Sequence, residues 1–272
     1  MNVLSLFDGI SCGQIALERA GIKVDNYFAS EIEPNAILVT KRNYPNTIQL
    51  GDITKWRDWN LPHIDLIIGG SPCQGFSFAG KQLNFDDPRS KLFFEFLDIL
   101  NNFKPKFFLL ENVRMKKEYQ DIITDHLKVG PININSALVS GQSRNRYYWT
   151  NIPGVTQPQD KGIILKEIIE SGYVDREKSL CILESYSRPN CQLEKLHRRY
   201  IEKSFMQIIY LGKDMNPTNI RTLTQQEMEK LQTIPVGYTQ PLNRNKAAGL
   251  LGNGWTVDVI AHVFKGLKTV KI

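Results

Sequence analysis

The sequence predicts an α/β protein with a doubly wound, mostly parallel sheet and a second, smaller domain. Short apolar runs alternate with amphipathic segments over residues 1–150, which is the pattern of strands joined by helices in a parallel sheet. That alternation ends after the turn at 151–154, and the 272 residues are enough for one large and one small domain. We therefore predict a larger domain formed by residues 1–154 and 246–272, and a small domain formed by residues 155–245.

The predicted elements follow one another in a regular order. Strands are predicted at 3–7, 27–30, 47–50, 64–68 and 107–110, and helices at 14–20, 34–43, 91–101, 227–232 and 257–265. Gly21 ends the first helix and Pro34 suits the start of the second. In an open parallel sheet, ligands bind at the carboxyl ends of the strands, so polar residues that directly follow strands are the candidate site residues.

Composition limits the classes of function. Lys and Arg number 34 against 28 Asp and Glu, and this net charge of +6 permits a nucleic-acid partner without requiring one. No apolar run approaches the roughly 20 residues of a membrane-spanning helix, and the N-terminus does not resemble a signal peptide. The four cysteines form no Cys-x-x-Cys pair, so we expect no metal, no disulfide framework and a reducing, cytoplasmic setting.

A nucleoside site is predicted at the ends of the first three strands. Phe7-Asp8-Gly9 follows the first strand and Gly13 opens the next helix, although this is not a dinucleotide-binding Gly-x-Gly-x-x-Gly. Glu31 follows the second strand, about 20 residues on, where a carboxylate binds ribose hydroxyls. Asp52 follows the third strand. The same residues also fit a tight turn with two helix-capping carboxylates.

Cys73 is the candidate nucleophile. It lies on a turn rich in Gly and Pro that follows a buried strand, and exposed N–H groups there favour the thiolate. The alternative is a buried structural cysteine. Glu111 ends the next strand at the same edge, where it could hydrogen-bond an amino-bearing heterocycle.

Arg144 and Arg146 are two residues apart, and such residues share one face of an extended chain. We therefore expect both guanidinium groups to point into one cleft. The alternative for each arginine is a surface ion pair.

Taken together, these residues resemble the cytosine C5 methyltransferases that use S-adenosylmethionine, a family with a Rossmann-like methyltransferase sheet and a smaller target-recognition domain. The ordered series is Phe7-Asp8-Gly9, Glu31, Gly51-Asp52, Pro72-Cys73-Gln74, Arg89 to Phe94, Glu111-Asn112-Val113, Gln142 to Arg146, Arg221-Thr222-Leu223-Thr224 and Gly252-Asn253-Gly254. Pro-Cys-Gln followed by Glu-Asn-Val at this spacing is highly specific. Residues 144–149 are also similar to the de novo branch of the family, and residues 155–220 carry no family motif, as expected of a variable target-recognition region.

The resemblance implies S-adenosylmethionine as cofactor. Phe7 would pack on the adenine, Glu31 would bind the ribose hydroxyls, and Asp52 would bind the adenine amino group. The full set of implied cofactor residues is Phe7, Asp8, Gly9, Gly13, Glu31, Ile32, Asp52, Ile53, Pro72, Leu92, Asn253 and Trp255.

The resemblance also implies a catalytic set. Cys73 would add to C6 of a cytosine, Glu111 would contact N3 and the amino group, and Arg144 and Arg146 would hold the base and the Cys73 region. Thiolate addition activates C5, which is otherwise a poor nucleophile. A stacked base is out of reach, so the target nucleotide must flip out of the duplex.

The implied partner is double-stranded DNA, and the implied contact residues are Gln74, Ser77, Arg198, Arg199, Arg221 and Thr224. The helix-like basic stretch at 195–203 would meet phosphates, or is a solvated charged face. Arg221 and Thr224 would also organise the small domain. We expect a monomer from a bacterium or phage, with a short recognition site and a cognate restriction endonuclease as a further partner.

Three other functions compete with this interpretation. A transfer-RNA methyltransferase of the same fold tends to carry Pro-Pro-Cys where this chain has Ser71-Pro72-Cys73, which favours DNA. A catalytically silent DNA-binding member would not need the complete catalytic set. An NAD-linked oxidoreductase would leave Pro72-Cys73-Gln74 unexplained.

Overall fold

The structure is a computed structural model that describes residues 1–71, 88–188 and 192–270, with the backbone alone for 88–90. The chain divides into two compact units. The first comprises Met1–Ile134, Asn145–Gln157 and Ala261–Ile272, and the second comprises Asn135–Arg144 and Pro158–Ile260.

The first unit is built on a seven-stranded sheet of order β3-β2-β1-β4-β5-β7-β6. Its strands are β1 Asn2–Leu6, β2 Asn26–Ser30, β3 Ile48–Gln49, β4 Leu66–Gly69, β5 Phe107–Val113, β6 Ile132–Asn135 and β7 Asn145–Thr150. Its helices are α1 Cys12–Ala20, α2 Pro34–Asn43, α3 Pro88–Phe103 and α4 Lys117–Leu127. The pairs from β3 to β5 are parallel and β5–β7 is antiparallel. The predicted mostly parallel sheet is confirmed.

Apolar runs form the central strands because a parallel sheet is covered on both faces. β4 is buried along its whole length, as is most of β1 and β5. Phe93, Phe96 and Leu97 of α3 pack into the same core as these strands. The apolar face predicted for residues 91–101 therefore covers the sheet.

Strand β5 is longer than predicted. It continues through Glu111 and Asn112, whereas the sequence suggested that the strand ends before them. Pairing with β7 extends it, since Glu111 lies opposite Tyr148 and Val113 opposite Arg146. By contrast, β3 is shorter than predicted, since only Ile48–Gln49 pair with β2.

The second unit combines short helices with a two-stranded antiparallel sheet. Its elements are α5 Leu165–Ile168, α6 Leu193–Lys203, β8 Ile208–Tyr210, β9 Ile220–Thr222, α7 Gln225–Leu231 and α8 Arg244–Asn253. Helix α9, Val257–Phe264, begins in the second unit and ends in the first. The predicted helical character of 195–203 is confirmed by α6.

The two units differ from the predicted domains at 135–144 and 246–260, which group with the second unit, and at 155–157, which group with the first. Close packing explains the second difference: a Cβ added to Gly252 of α8 would lie 2.3 Å from the carbonyl carbon of Leu183. Hydrogen bonds explain the first, for example from the Ser140 hydroxyl to the carbonyl of Leu231 at 2.5 Å. Within the described ranges, no helix is both long and apolar enough to cross a membrane.

Candidate active site

The loops after β1, β2 and β3 are joined to one another by hydrogen bonds. The N–H of Asp8 donates to the carbonyl of Ser30 at 3.1 Å, and the Ser30 hydroxyl donates to the carbonyl of Gly51 at 2.8 Å. The sequence-predicted residues Phe7, Glu31 and Asp52 lie on these three loops. The structure therefore holds the predicted nucleoside-binding loops together at one edge of the sheet.

Glu31 is fixed by backbone N–H groups. Its Oε1 accepts from Ile32 and Glu33, each at 2.8 Å, and its Oε2 accepts from Gly9 at 2.7 Å. Each carboxylate oxygen can accept two hydrogen bonds, so Oε2 retains capacity for a ligand hydroxyl. The adjacent side chain of Ile32 is 69% exposed, which offers an apolar surface beside that acceptor.

Asp52 caps the 3-10 turn Ile53–Asp58, because its Oδ1 accepts from the N–H of Thr54 at 2.9 Å. This backbone hydrogen bond lowers the pKa of Asp52 below its ordinary value, so the carboxylate is charged at neutral pH. Capping and ligand binding are compatible, since one carboxylate can accept several hydrogen bonds. The side chain of Ile53 is buried in the core of the sheet.

The turn after β1 has an unusual backbone. Phe7 and Gly9 have φ of 58° and 59°, in the left-handed region. This conformation is open to glycine but costs a residue with a side chain roughly 1 kcal/mol or more. Such strain concentrates at binding sites, and Phe7 packs only partly against the core.

Asp8 anchors this turn. Its carboxylate accepts hydrogen bonds from the hydroxyls of Ser11 and, at 2.8 Å, Tyr27. Desolvation raises the pKa of Asp8 to about 6, although the hydrogen bonds lower it. Tyr27 and Ser11 were not among the predicted site residues, yet a tyrosine inside an apolar strand has a hydroxyl that needs a polar partner.

A second group of polar residues lies where β5 meets β7. Glu111 is 8% exposed, and its Oε1 lies 3.0 Å from Nε of Arg146. The neighbouring Asn112 donates through its side-chain amide to the carbonyl and hydroxyl of Ser71, at 3.4 and 3.2 Å. Ser71 is two residues before Cys73, so this amide ties the start of the predicted nucleophile segment to the strand that carries Glu111.

The two predicted catalytic arginines do not have the same surroundings. Arg146 pairs with Glu111, whereas Arg144 is 4% exposed and donates to the carbonyls of Ile182, Gly252 and Gly254. The two guanidinium groups thus have different partners, and the expectation that both point into one cleft stays a prediction. Arg144 precedes β7, which begins at Asn145, so the alternation of side chains along a strand does not extend to it.

The remaining predicted cofactor residues fall into three groups. Gly13 is buried in α1, and Leu92 packs partly against the core of the first unit. Asn253, the exposed last residue of α8, and the half-buried Trp255 belong to the second unit. Pro72, with the nucleophile Cys73 and the predicted DNA contacts Gln74 and Ser77, lies outside the described residues.

Two predicted DNA contacts, Arg221 and Thr224, also form contacts within the second unit. The Arg221 guanidinium forms a two-pronged ion pair with the buried Glu227, at 2.7 and 2.8 Å. Thr224 caps α7 through a hydrogen bond from the N–H of Glu227 at 3.1 Å. Burial raises the pKa of Glu227, but hydrogen bonds from Arg221 and from backbone N–H groups lower it overall. Their predicted role in organising the small domain fits this geometry, and their predicted role as DNA contacts stays a prediction.

Arg198 and Arg199 differ in the same way. Arg198 is exposed on α6, while the Arg199 guanidinium stacks on the ring of Phe205 at 3.7 Å. Arg198 is the better candidate for a phosphate contact. No group of three or more His, Cys, Asp or Glu suited to a metal occurs in the described part of the chain.

Comparisons with known proteins agree with this arrangement. A family model described as C-5 cytosine-specific DNA methylase matches residues 1–129 and 116–269. The type II methyltransferase M1.ScrFI of Lactococcus lactis subsp. cremoris is 29% identical in an alignment 303 positions long, gaps included, which covers 95% of this chain and 76% of that protein. The type II methyltransferase M.NgoBV of Neisseria gonorrhoeae is 45% identical over 117 residues, which cover 42% of this chain and only 28% of that protein.

The fold has relatives among solved structures. The Entamoeba histolytica methyltransferase EhMeth superimposes with a TM-score of 0.72 and covers 100% of this chain and 99% of its own. At 19% sequence identity, this likeness concerns the fold alone.

Proposed function

Since the chain belongs to the family of C-5 cytosine-specific DNA methylases, we propose that it methylates C5 of a cytosine flipped out of double-stranded DNA. The proposed methyl donor is S-adenosylmethionine and the proposed nucleophile is Cys73. The enzyme would act in the cytoplasm of a bacterium or a phage-infected cell, as a monomer with a short recognition site. A companion restriction endonuclease is the partner that we propose.

One observation carries this proposal. Asn112 holds Ser71, two residues before Cys73, and its neighbour Glu111 is paired with Arg146. The segment that leads to Cys73, the Glu111 carboxylate and the Arg146 guanidinium therefore belong to three successive strands, β4, β5 and β7. Such a set suits a planar heterocycle whose amino group donates a hydrogen bond to the carboxylate.

Cys73, Glu111 and Arg146 each have a separate task in the proposed reaction. The Cys73 thiolate forms a bond to C6 of cytosine, and the electron pair of the C5–C6 double bond becomes available at C5. The Glu111 carboxylate accepts a hydrogen bond from the amino group, and it accepts a second from N3 once N3 has taken a proton from solvent to balance the negative charge that thiolate addition brings to the ring. Once C5 carries the methyl group, water takes the C5 proton, the C6–S bond breaks so that Cys73 leaves as a thiolate, and N3 returns its proton to solvent, which restores the C5–C6 double bond. Arg146 keeps the Glu111 carboxylate oriented.

The residues at the first three strand ends fit S-adenosylmethionine. Glu31 has acceptor capacity for a ribose hydroxyl, Asp52 is a charged acceptor for an amino group, and Ile32 and Phe7 offer apolar surface. No Lys or Arg stands among Phe7–Gly9, Glu31–Ile32 and Asp52–Ile53, as suits a nucleoside without phosphates. When bound, S-adenosylmethionine supplies a methyl group on a positively charged sulfur.

The test is methyl transfer from labelled S-adenosylmethionine to AT-rich genomic DNA, GC-rich genomic DNA and bulk transfer RNA, with bisulfite sequencing of the DNA products. We expect label on DNA at one short repeated sequence and none with Cys73→Ser. Label on RNA alone would overturn the proposed substrate. Absence of label from all substrates, with the cofactor bound, would overturn the proposed activity.

A further inference from the structure

The turn after β1 contains three residues in the left-handed backbone region. Phe7, Gly9 and Ser11 have φ of 58°, 59° and 57°. Two of the three carry side chains, for which this conformation costs roughly 1 kcal/mol or more each. Such a backbone persists only where its surroundings hold it, so contacts of the turn must offset the cost. The side chain of Asp8, between Phe7 and Gly9, makes contacts of this kind.

Hydroxyl groups from neighbouring elements converge on the Asp8 carboxylate. The hydroxyl of Tyr27, on β2, donates to Oδ1 at 2.8 Å, and the Ser11 hydroxyl donates to Oδ2. The hydroxyl of Thr40, on α2, in turn donates to that of Ser11 at 3.1 Å. The side chains of Tyr27, Ser11 and Thr40 are all buried. Asp8 is thereby joined to a strand and a helix through side chains that are shielded from water.

The same turn sets the position of the Glu31 carboxylate. The N–H of Gly9 donates to Oε2 of Glu31 at 2.7 Å, and the N–H of Asp8 donates to the carbonyl of Ser30 at 3.1 Å. Both N–H groups belong to the backbone from which the Asp8 side chain projects. A shift of this backbone would therefore displace the donor that orients Oε2, the oxygen with capacity for a ligand hydroxyl.

We propose that Tyr27 is a positioning residue for S-adenosylmethionine binding. Through Asp8, its hydroxyl keeps the Gly9 N–H directed at Glu31, so that the carboxylate is oriented for the ribose hydroxyls before the cofactor arrives. A group held in its binding orientation loses less freedom on binding, which raises affinity. This inference rests on the proposed function, in which Phe7, Gly9 and Glu31 belong to the cofactor site. Tyr27 acts through Asp8 and needs no contact with the cofactor.

The test is a double-mutant cycle on the dissociation constant for S-adenosylmethionine, measured by calorimetry in the absence of DNA. Tyr27→Phe removes the hydroxyl and keeps the buried ring, and we expect it to weaken cofactor binding about fivefold. In a Glu31→Ala background the same substitution should weaken binding by less than about twofold, because no carboxylate remains for the turn to orient.

Tyr44→Phe is the matched control. The Tyr44 hydroxyl also donates to a carboxylate, that of the exposed Glu18, at 2.9 Å, and neither residue belongs to the proposed cofactor site. Its loss should leave cofactor affinity unchanged.

Steady-state kinetics distinguish positioning from a general loss of structure. At saturating cofactor, Tyr27→Phe should keep the wild-type kcat, while its KM for S-adenosylmethionine rises about fivefold. This kinetic result decides the outcome if Glu31→Ala binds the cofactor too weakly for calorimetry. Should Tyr27→Phe fail to fold, Thr40→Val removes the hydroxyl beside Ser11 and should weaken cofactor binding about threefold.

Several results would overturn the inference and leave the proposed function intact. They are wild-type affinity for the cofactor in Tyr27→Phe or, where that variant does not fold, in Thr40→Val, an equal loss of affinity with and without Glu31→Ala, and an equal loss in Tyr44→Phe. Wild-type protein that binds no S-adenosylmethionine would overturn both proposals. Wild-type protein that binds it but methylates no DNA would overturn the proposed function alone.

Discussion

Two aspartates that follow strands of the same sheet edge, Asp8 and Asp52, have pKa values shifted in opposite directions. The N–H of Thr54 lowers the pKa of Asp52, which is exposed enough to remain hydrated. Desolvation raises the pKa of Asp8, whose partners Ser11 and Tyr27 are neutral hydroxyls. Asp52 is therefore suited to bind a ligand as an anion, whereas Asp8 accepts hydrogen bonds from Ser11 and Tyr27 and ionises only as pH approaches neutrality.

The raised pKa of Asp8 predicts a pH-dependent contribution to stability. Its pKa rises from 3.8 to about 6 on folding, so between these values the folded state holds more protons than the unfolded state. Stability attributable to Asp8 therefore falls by roughly 3 kcal/mol in total as pH rises from about 4 through about 6, and the loss is complete near pH 7. Urea unfolding of wild type and Asp8→Asn between pH 4 and pH 7.5 measures this difference. A difference that stays constant over that range would contradict the assignment.

Within helix α8, close packing of the C-terminal end requires a residue without a side chain at Gly252. A Cβ at Gly252 would lie 2.3–2.5 Å from backbone atoms of Leu183 and Glu184, which cannot give way as a flexible side chain can. At Gly249 of the same helix, the nearest atom would be Cβ of Ser187 at 3.4 Å. Packing therefore requires glycine at position 252 but leaves room for a methyl group at position 249, a difference that the sequence alone does not reveal.

This contrast predicts opposite effects on the free energy of unfolding. Gly252→Ala should destabilise the protein by about 2–4 kcal/mol, because packed backbone must move apart. Gly249→Ala should be neutral or stabilising by up to about 1 kcal/mol, since alanine favours the helix and ordinary contact space is available. Chemical denaturation of both variants provides the measurement. Equal effects at the two positions would show that the contact with Leu183 does not constrain α8.

At the scale of the whole molecule, the sequence predicted the sheet because each central strand is buried on both faces and so reads as an unbroken apolar run. The hairpin of β8 and β9 was not predicted, since strands of three residues are too short to show a period. Where β5 ends depends on pairing with β7, a contact distant in sequence. Local patterns therefore located most elements of the sheet but not their ends.

The same contrast between local patterns and contacts distant in sequence applies to the residues of the candidate site. Glu31 and Asp52 were predictable because they directly follow strands. In the structure each carboxylate accepts hydrogen bonds from backbone N–H groups of its loop and can accept more from a ligand. The surroundings of Arg144 were not predictable, because its partners lie up to 110 residues away. Long-range hydrogen bonding of this kind leaves no periodic signal in the sequence.

The proposed reaction as a whole predicts a trapped intermediate. Its last step removes the proton from C5 so that the Cys73 bond to C6 can break. Fluorine at C5 cannot leave as a cation, so a duplex with 5-fluorocytosine at the methylated position should remain bonded to the protein after methyl transfer. Intact-protein mass spectrometry under denaturing conditions should show wild type enlarged by the mass of the modified strand plus one methyl group. Cys73→Ser should show the unmodified mass, and an adduct that persists in this variant would place the nucleophile elsewhere in the chain.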